Sequence, residues 1–331
     1  MTINPKFPLH RYAEVSWQTA DTDFASNAGI ASDAFNTTVD LSRLDCPNIN
    51  LSNIPAAYRD LLAEKFDLRD YDPSSVSLDV RPRIEGTGHP LCGLVLSSSR
   101  QFIIYDTAFG IIKSLVSGIA SALVQSAGWT PLHAACISIE GRTALLVGGS
   151  QAGKSTLVFE LAAQCVRARR EFAILTDDWV IVRQGLHRIE VKSFDATISI
   201  DRGIAAKFET GLVLPDEVLR DVVERGRKHS APAASALRGA SSFSRAQVDA
   251  IYALYPFEGA NSPEEMKPSD FAESAVACSY HYPYATQSEI QSHIARWEEI
   301  GARLHPVLVP TRSKSMTSQQ CADWIISALA D

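Results

Sequence analysis

Apolar and polar residues along the chain follow two periods, which together predict alternating strands and helices. Short continuous apolar runs, typical of buried strands, occur at residues 134–139, 143–147 and 172–175. Apolar residues recur at helical spacing over residues 157–166 and 287–304. This alternation predicts an α/β fold for the chain from about residue 106 onward.

Further elements are predicted around this core. The small residues of segment 228–242 predict a mobile loop. We also expect a hairpin turn at residues 140–142, a second hairpin around Gln184-Gly185, a helix at residues 244–254, a late strand at residues 305–310 and a closing helix at residues 318–330.

Residues 1–105 contain no catalytic motif. A helix at residues 56–65 and strands at residues 76–80, 91–97 and 101–105 predict a small β-rich or α+β module. We therefore divide the chain into an N-terminal module, residues 1–105, and a second domain, residues 106–331. A stabilising lid and a partner-binding or substrate-binding module remain alternative roles for the first part.

The composition is that of a soluble globular protein. Of the 331 residues 46% are hydrophobic and 21% charged, and the net charge of −7 argues against a broad nucleic-acid-binding surface. The longest apolar stretch, residues 109–123, is interrupted by Lys113 and several serines, so no membrane span is predicted. Residues 1–17 lack the apolar core of a signal peptide, and the six cysteines form no C-x-x-C pair, so we expect a cytoplasmic protein with reduced thiols.

The most informative stretch matches G-x-x-x-x-G-K-[ST], the pattern of a phosphate-binding loop, and consists of Gly148, Gly149, Ser150, Gln151, Ala152, Gly153, Lys154, Ser155 and Thr156. Its glycines let the backbone turn tightly, and successive N–H groups can form a nest for phosphate oxygens. Lys154 supplies a charge for the β- and γ-phosphates, and Ser155 offers a hydroxyl to Mg²⁺. Because a strand pattern precedes the loop and a helix pattern follows it, we predict a nucleoside triphosphate site.

Two adjacent carboxylates, Asp177 and Asp178, end the apolar strand that follows the loop helix. Carboxyl ends of strands lie at the edge where open α/β sheets bind ligands. A carboxylate at this edge can hold the Mg²⁺ that bridges the phosphates, or take a proton from an attacking hydroxyl. The adjacent pair allows both roles at one site.

The segment from about residue 132 to residue 182 resembles the HPr kinase/phosphorylase-like family, which is related in its phosphate-loop core to phosphoenolpyruvate carboxykinases. The resemblance rests on His133 at the start of the strand before the loop's own strand, on the loop GGSQAGKST, and on TDDWVIV. It implies an α/β fold with a P-loop core of this type beside a smaller β-rich N-terminal module.

The resemblance also implies an activity and roles for the site residues. It implies an ATP-dependent and Mg²⁺-dependent kinase that phosphorylates a hydroxyl. Asp177 would be the general base, Asp178 and Ser155 would sit at Mg²⁺, and His133 would lie near the γ-phosphate or the metal.

The chain departs from the family pattern at two points. The gap between Lys154 and Asp177 is longer than usual, and residues 200–203 match the family's later signature loop only loosely. The acceptor is therefore left open as a small molecule, a peptide or a protein, as are a reverse phosphorylase reaction and a homo-oligomeric state. An arginine of the predicted mobile loop, such as Arg238, could neutralise the transferring group.

Two other classes of function stay open. The first is an ATPase-type switch whose acceptor is water, although no N-K-x-D element for guanine is present. The second is a nucleotide-binding pseudo-enzyme that acts as a regulator. Neither alternative involves nucleic acid or a membrane.

Overall fold

The computed structural model describes residues 34–44, 48–63, 66, 68–70, 76–80, 101–104, 109–149, 151–186, 188–194, 197–200, 202–208, 214–225, 229–255, 262–279, 287–311 and 316–330. The described residues up to Ala127 form one compact unit, and those from Gly128 onward form a second. Helix 109–126 therefore groups with the N-terminal strands, whereas the boundary predicted from the sequence lies before it.

The N-terminal unit contains a five-stranded mixed sheet with the order β3-β1-β2-β4-β5. Strand β1 pairs antiparallel with β2 and β3, while β2, β4 and β5 run parallel. The predicted strand 91–97 lies outside the described residues. The elements are β1 (Ala34–Val39), β2 (Ile49–Pro55), α1 (Arg59–Ala63), β3 (Leu68–Arg69), β4 (Val76–Val80), β5 (Gln101–Ile104) and α2 (Phe109–Ser126).

The second unit contains thirteen strands and seven helices within the described ranges. The strands are β6 (Thr130–Leu132), β7 (Ala134–Ile139), β8 (Arg142–Val147), β9 (Phe172–Thr176), β10 (Val180–Gln184), β11 (Ile189–Ser193), β12 (Thr197–Ile200), β13 (His229–Pro232), β14 (Ala240–Ser242), β15 (Arg245–Gln247), β16 (Ala250–Tyr255), β17 (Glu264–Glu265) and β18 (Val307–Pro310). The helices are α3 (Lys154–Ala168), α4 (Arg202–Lys207), α5 (Asp216–Arg225), α6 (Ala233–Ala236), α7 (Pro268–Cys278), α8 (Gln287–Leu304) and α9 (Ser318–Ala330).

The centre of this unit is a seven-stranded sheet with the order β14-β9-β7-β8-β16-β18-β17. Five of its strands point the same way, and β7 and β17 run against them. The carboxyl ends of β8, β9, β16 and β18 therefore lie at one edge. Because β7 is antiparallel, its first residues lie at that same edge.

A four-stranded antiparallel sheet with the order β15-β11-β10-β6 adjoins this arrangement. Two of the passages of the chain from one sheet to the other lie at His133, between β6 and β7, and at residues 177–179, between β9 and β10. The two passages are neighbours, since Leu132 pairs with Val180 in one sheet and Cys136 pairs with Thr176 in the other.

Apolar side chains cover both faces of the seven-stranded sheet. Alternate residues of β8 point to opposite sides: Ala144 and Leu146 belong to one buried cluster, and Leu145 and Val147 to the other. Helices α3 and α9 contribute to the first cluster, and α7 and α8 to the second. This two-sided burial explains why β8 reads as a continuous apolar run.

Several predicted elements are confirmed. The helices 287–304 and 318–330 have the predicted bounds, and the hairpin between β10 and β11 turns at Gly185. In the turn between β7 and β8, Glu140 and Gly141 have φ angles of 52° and 80°, the left-handed pair of a type I′ hairpin. Strands and helices together confirm the α/β fold.

Two predicted elements are wrong. Residues 244–254 form strands β15 and β16 instead of a helix, because β16 is inserted between β8 and β18 and pairs with both. Segment 228–242 is not a loop in its described part: β13 pairs with β12, and β14 extends the sheet beside β9. Strand pairing to distant segments overrode the local preference in both places.

No helix among the described residues is long and apolar enough to cross a membrane. The cysteines within the described ranges, Cys136, Cys165, Cys278 and Cys321, are free thiols.

We expect Phe159→Ala to lower the free energy of unfolding by about 3–5 kcal/mol, because it removes a large buried ring. Phe159 is fully buried in α3 and its ring centroid lies 5.8 Å from that of Phe208. Urea denaturation measures the effect. The control is Leu186→Ala at a side chain that is 93% exposed, where we expect a change within about 0.5 kcal/mol. Equal losses in both variants would contradict the described core.

Candidate functional site

The glycine-rich loop connects β8 to α3 at the carboxyl edge of the large sheet. Gln151 and Gly153 have left-handed φ angles of 64° and 93°, and Gly153 is the residue on which α3 begins. Ala152 N–H donates to Gly149 O at 3.2 Å, which closes a tight turn. Ser150 lies outside the described residues, and Thr156 is half-buried in the first turn of α3.

Gly148 occupies a position that has no room for a side chain. A Cβ built there would lie 2.8 Å from Ala152 Cβ and 3.0 Å from the backbone oxygen of Leu254 in β16. The first distance is shorter than real Cβ contacts, and the second is tighter than nine in ten of them. The glycine therefore lets the loop turn back directly beside β16.

Lys154 folds back over its own loop. Its Nζ donates to Gly148 O at 2.7 Å and to Gly149 O at 3.2 Å, and the residue is only 6% exposed. Its ammonium group is thus fixed at the mouth of the loop, where an anionic ligand would meet both this charge and the first N–H groups of α3.

Ser155 and Asp177 bring the loop and strand β9 together. Ser155 Oγ donates to Asp177 Oδ2 at 3.1 Å, and Asp177 is 3% exposed. Two adjacent ligands of an octahedral Mg²⁺ lie about 2.9 Å apart, since Mg–O distances are about 2.0–2.1 Å. The two oxygens are therefore spaced as neighbouring magnesium ligands would be.

Asp178 faces the other chain passage. Its Oδ1 lies 3.0 Å from His133 Nε2, and its backbone N–H donates to Thr176 Oγ1 at 3.2 Å. The side chains of Asp178 and His133 are each 20% exposed. A molecule approaching from solvent can reach this pair, whereas Asp177 is closed off.

Helix α7 borders the site. Ser279 Oγ donates to Pro131 O at 3.0 Å, which holds the end of α7 beside β6. Burial raises the pKa of the Cys278 thiol, and the positive charge of Lys154 and a hydrogen bond with Ser274 act in the opposite direction. Because β6 leads directly into His133, the bond between Ser279 and Pro131 brings the end of α7 close to the site.

Thr311 is a site residue that sequence reasoning missed. It follows β18, and its Oγ1 donates to Ala152 O at 2.7 Å in the middle of the loop. No local pattern marks this residue, since only the order of strands in the sheet brings it to the loop.

The structure thus brings together every described residue that the sequence singles out at the loop, at the Asp pair and at His133. The arginine of segment 228–242 is different, since Arg238 pairs with Asp216 at 3.0 Å on the surface. Arg238 is therefore engaged in a surface ion pair rather than at the loop.

Within the described ranges, no group of three or more His, Cys, Asp and Glu side chains could hold a metal ion. A magnesium ion needs fewer protein ligands when substrate phosphates and water complete its coordination. Ser155 and Asp177 fit that arrangement.

Comparisons with known proteins add little. No protein-family model matches the chain, and no curated protein matches it. Among solved structures 85 chains match. One is the Hpr(Ser) kinase/phosphatase from Coxiella burnetii, with 14% identity, a TM-score of 0.23, and coverage of 41% of this chain and 77% of that chain. A similarity of this size carries no argument about fold or function.

We expect Gly148→Ala to lower the free energy of unfolding by about 1–3 kcal/mol, because the added methyl group forces the loop away from β16. Thermal or urea denaturation without nucleotide measures the change. Gly149→Ala is the matched control, since a Cβ there meets nothing within 4 Å and φ is not positive. If both variants are as stable as the wild type, the close approach is incorrect.

Proposed function

We propose that the protein is an ATP- and Mg²⁺-dependent kinase that transfers the γ-phosphoryl group to a hydroxyl, as serine kinases do. The observation that carries the proposal is the convergence of Ser155, Asp177, Asp178 and His133 through contacts of 3.0–3.1 Å beside the loop that holds Lys154. Phosphoryl transfer needs an anion cradle, a metal site and a base, and these residues supply all three.

The loop and the start of α3 would hold the phosphates of ATP. Helix N-termini present N–H groups without helical partners and favour negative charge. Lys154 adds a full positive charge beside the same N–H groups, at a position fixed by Gly148 O and Gly149 O. This arrangement supports binding of the β- and γ-phosphates.

Ser155 and Asp177 would hold the magnesium ion. When bound, Mg²⁺ neutralises charge that develops on the phosphate oxygens. The buried position of Asp177 and its contact with the loop hydroxyl suit this role. The assignment is the reverse of the one that the family resemblance implies, in which Asp178 sits at the metal.

Asp178 would then be the general base, with His133 as its positioning partner. Its carboxylate accepts the proton of the acceptor hydroxyl, and the hydroxyl oxygen forms a bond to the γ-phosphorus. The bond between the γ-phosphorus and the bridging oxygen of ADP breaks at the same time. His133 orients the carboxylate through the 3.0 Å contact.

The acceptor is a hydroxyl of a small molecule, a peptide or a protein. The partial exposure of Asp178 and His133 supports access for an acceptor from solvent, since each side chain is 20% exposed. Transfer to water alone would instead make the protein an ATPase-type switch, and binding without turnover would make it a regulator.

The test is to incubate the protein with ATP, Mg²⁺ and a panel of hydroxyl acceptors. We expect Asp178→Asn to bind ATP normally and to lower phosphoryl transfer by about 10²- to 10⁴-fold, the usual contribution of a general base. We expect Asp177→Asn to need more Mg²⁺ for half-maximal turnover. A magnesium titration of the transfer rate distinguishes the two variants.

Asp216→Asn provides the control, because it removes a carboxylate that is 76% exposed and away from the loop. Phosphate release to water that no acceptor changes would overturn the kinase. A raised Mg²⁺ requirement in Asp178→Asn, with a normal magnesium titration in Asp177→Asn, would restore the opposite assignment of the two aspartates.

We expect Lys154→Ala to abolish measurable ATP binding, because the loop loses its only side-chain charge. Titration calorimetry with Mg·ATP measures the binding, and the shift in melting temperature on adding ATP gives a second readout. Arg238→Ala is the control, because it removes an exposed positive charge. Lys207→Ala would not serve, because Lys207 pairs with the buried Glu160. Unchanged ATP affinity in Lys154→Ala would exclude the loop as the phosphate site.

A further inference from the structure

Thr311 is placed to control the shape of the glycine-rich loop from a distant part of the chain. We propose that Thr311 is a positioning residue, whose hydroxyl holds the loop in the conformation that binds phosphate. The inference rests on the proposed function only in that the loop binds the phosphates of ATP.

The hydrogen bond is short and buried. Thr311 Oγ1 donates to Ala152 O at 2.7 Å, although the two residues are 159 positions apart in the chain. Thr311 is 7% exposed and Ala152 is 2% exposed. Because water has little access to either residue, loss of the donor would leave a buried carbonyl without this partner, which is costly.

Ala152 lies in the tight turn of the loop, where its N–H donates to Gly149 O. Its two neighbours, Gln151 and Gly153, both have left-handed φ angles, 64° and 93°. A non-glycine residue in this region is strained, and such a conformation persists only when surrounding contacts fix it. The Thr311 bond is a contact that fixes the carbonyl of the residue after the strained Gln151, whereas Gly153 adopts its conformation without steric cost.

The direction of the Ala152 carbonyl also sets the direction of a phosphate-binding donor. The peptide bonds of the described chain are trans, so C=O and the following N–H point in opposite directions. Holding Ala152 O toward Thr311 therefore turns the Gly153 N–H away from Thr311. Gly153 directly precedes α3, where N–H groups of such loops bind phosphate.

Thr311 reaches this position because of the strand order. Strand β18 lies parallel to β16, which lies parallel to β8, so the residue after β18 and the loop after β8 meet at one edge. The same edge carries Asp177, Asp178 and His133. Thr311 thus acts on the site through the loop backbone and is not itself placed at the reacting atoms.

The experiment compares Thr311→Val, which keeps the shape and removes the hydroxyl, with Thr311→Ser, which keeps the hydroxyl. The probes are Mg·ATP and inorganic tripolyphosphate, and titration calorimetry gives their dissociation constants. We expect Thr311→Val to weaken both ligands about three- to tenfold, the size of a net hydrogen-bond contribution. Thr311→Ser should stay within about twofold of the wild type.

Further readouts separate positioning from stability. The KM for ATP should rise in Thr311→Val while the KM for the acceptor and kcat at saturating ATP stay near the wild type. Thr311→Ala is a second hydroxyl-free variant, and should show the same loss of affinity if Thr311→Val does not fold. Melting temperatures of the variants without ligand show whether the loss of ligand affinity accompanies a loss of folding stability.

Wild-type affinity in Thr311→Val would overturn the inference, and so would equal losses in Thr311→Val and Thr311→Ser. Failure of the wild type to bind either ligand would overturn both the inference and the proposed function. Binding that depends on Thr311, with no transfer to any acceptor, would overturn the kinase and support the role of Thr311.

Discussion

The same two chain segments pair with each other in both sheets of the second unit, and the arrangement of the site depends on this pairing. Leu132 pairs with Val180 in the smaller sheet, and Cys136 pairs with Thr176 in the larger one. Between these pairs both segments leave one sheet and enter the other, so the gaps between the strands bring residue 133 and residues 177–179 to one place. His133 and the aspartates occupy this gap. The antiparallel direction of β7 is essential, because a parallel strand would place its first residue at the opposite edge of the sheet.

Asp177 and Asp178 lie in a bend between β9 and β10, where the two neighbouring side chains have different surroundings. Asp177 turns toward the loop, where it accepts a hydrogen bond from Ser155 and is almost fully buried. Asp178 turns toward His133 and keeps contact with solvent. The buried Asp177 therefore suits the proposed metal site, and the partly exposed Asp178 suits the proposed contact with an acceptor. The surroundings, rather than their order in the chain, separate the proposed roles.

Local patterns in the sequence were sufficient wherever a residue's role depends on its neighbours in the chain. The loop, the apolar strands before it and the aspartates at the end of β9 all belong to this class, and so does the long helix α8. Residues 244–254 were misjudged because their alanines and leucine suit a helix, while the pairing of β16 with β8 and β18 depends on segments far away. Thr311 was missed for the same reason, since its partner lies 159 positions earlier. Neither could be found without the strand order.

Three contacts fix the conformation of the loop: the close approach of Gly148 to Leu254, the hydrogen bonds of Lys154, and the hydrogen bond of Thr311. Gly148 lets the chain pass within contact distance of Leu254, which fixes where the loop starts. Lys154 Nζ donates to Gly148 O and Gly149 O, so its positive charge stabilises these two carbonyl groups at the start of the loop. Thr311 holds the carbonyl of Ala152, which follows Gln151, a non-glycine residue whose left-handed conformation costs about 1 kcal/mol or more in a free chain. In the proposed phosphate site, a loop fixed in this way would lose little conformational entropy when an anion binds. Preorganisation of this kind requires β16 and β18, the next two strands beside β8, which is why a nine-residue motif needs a sheet around it.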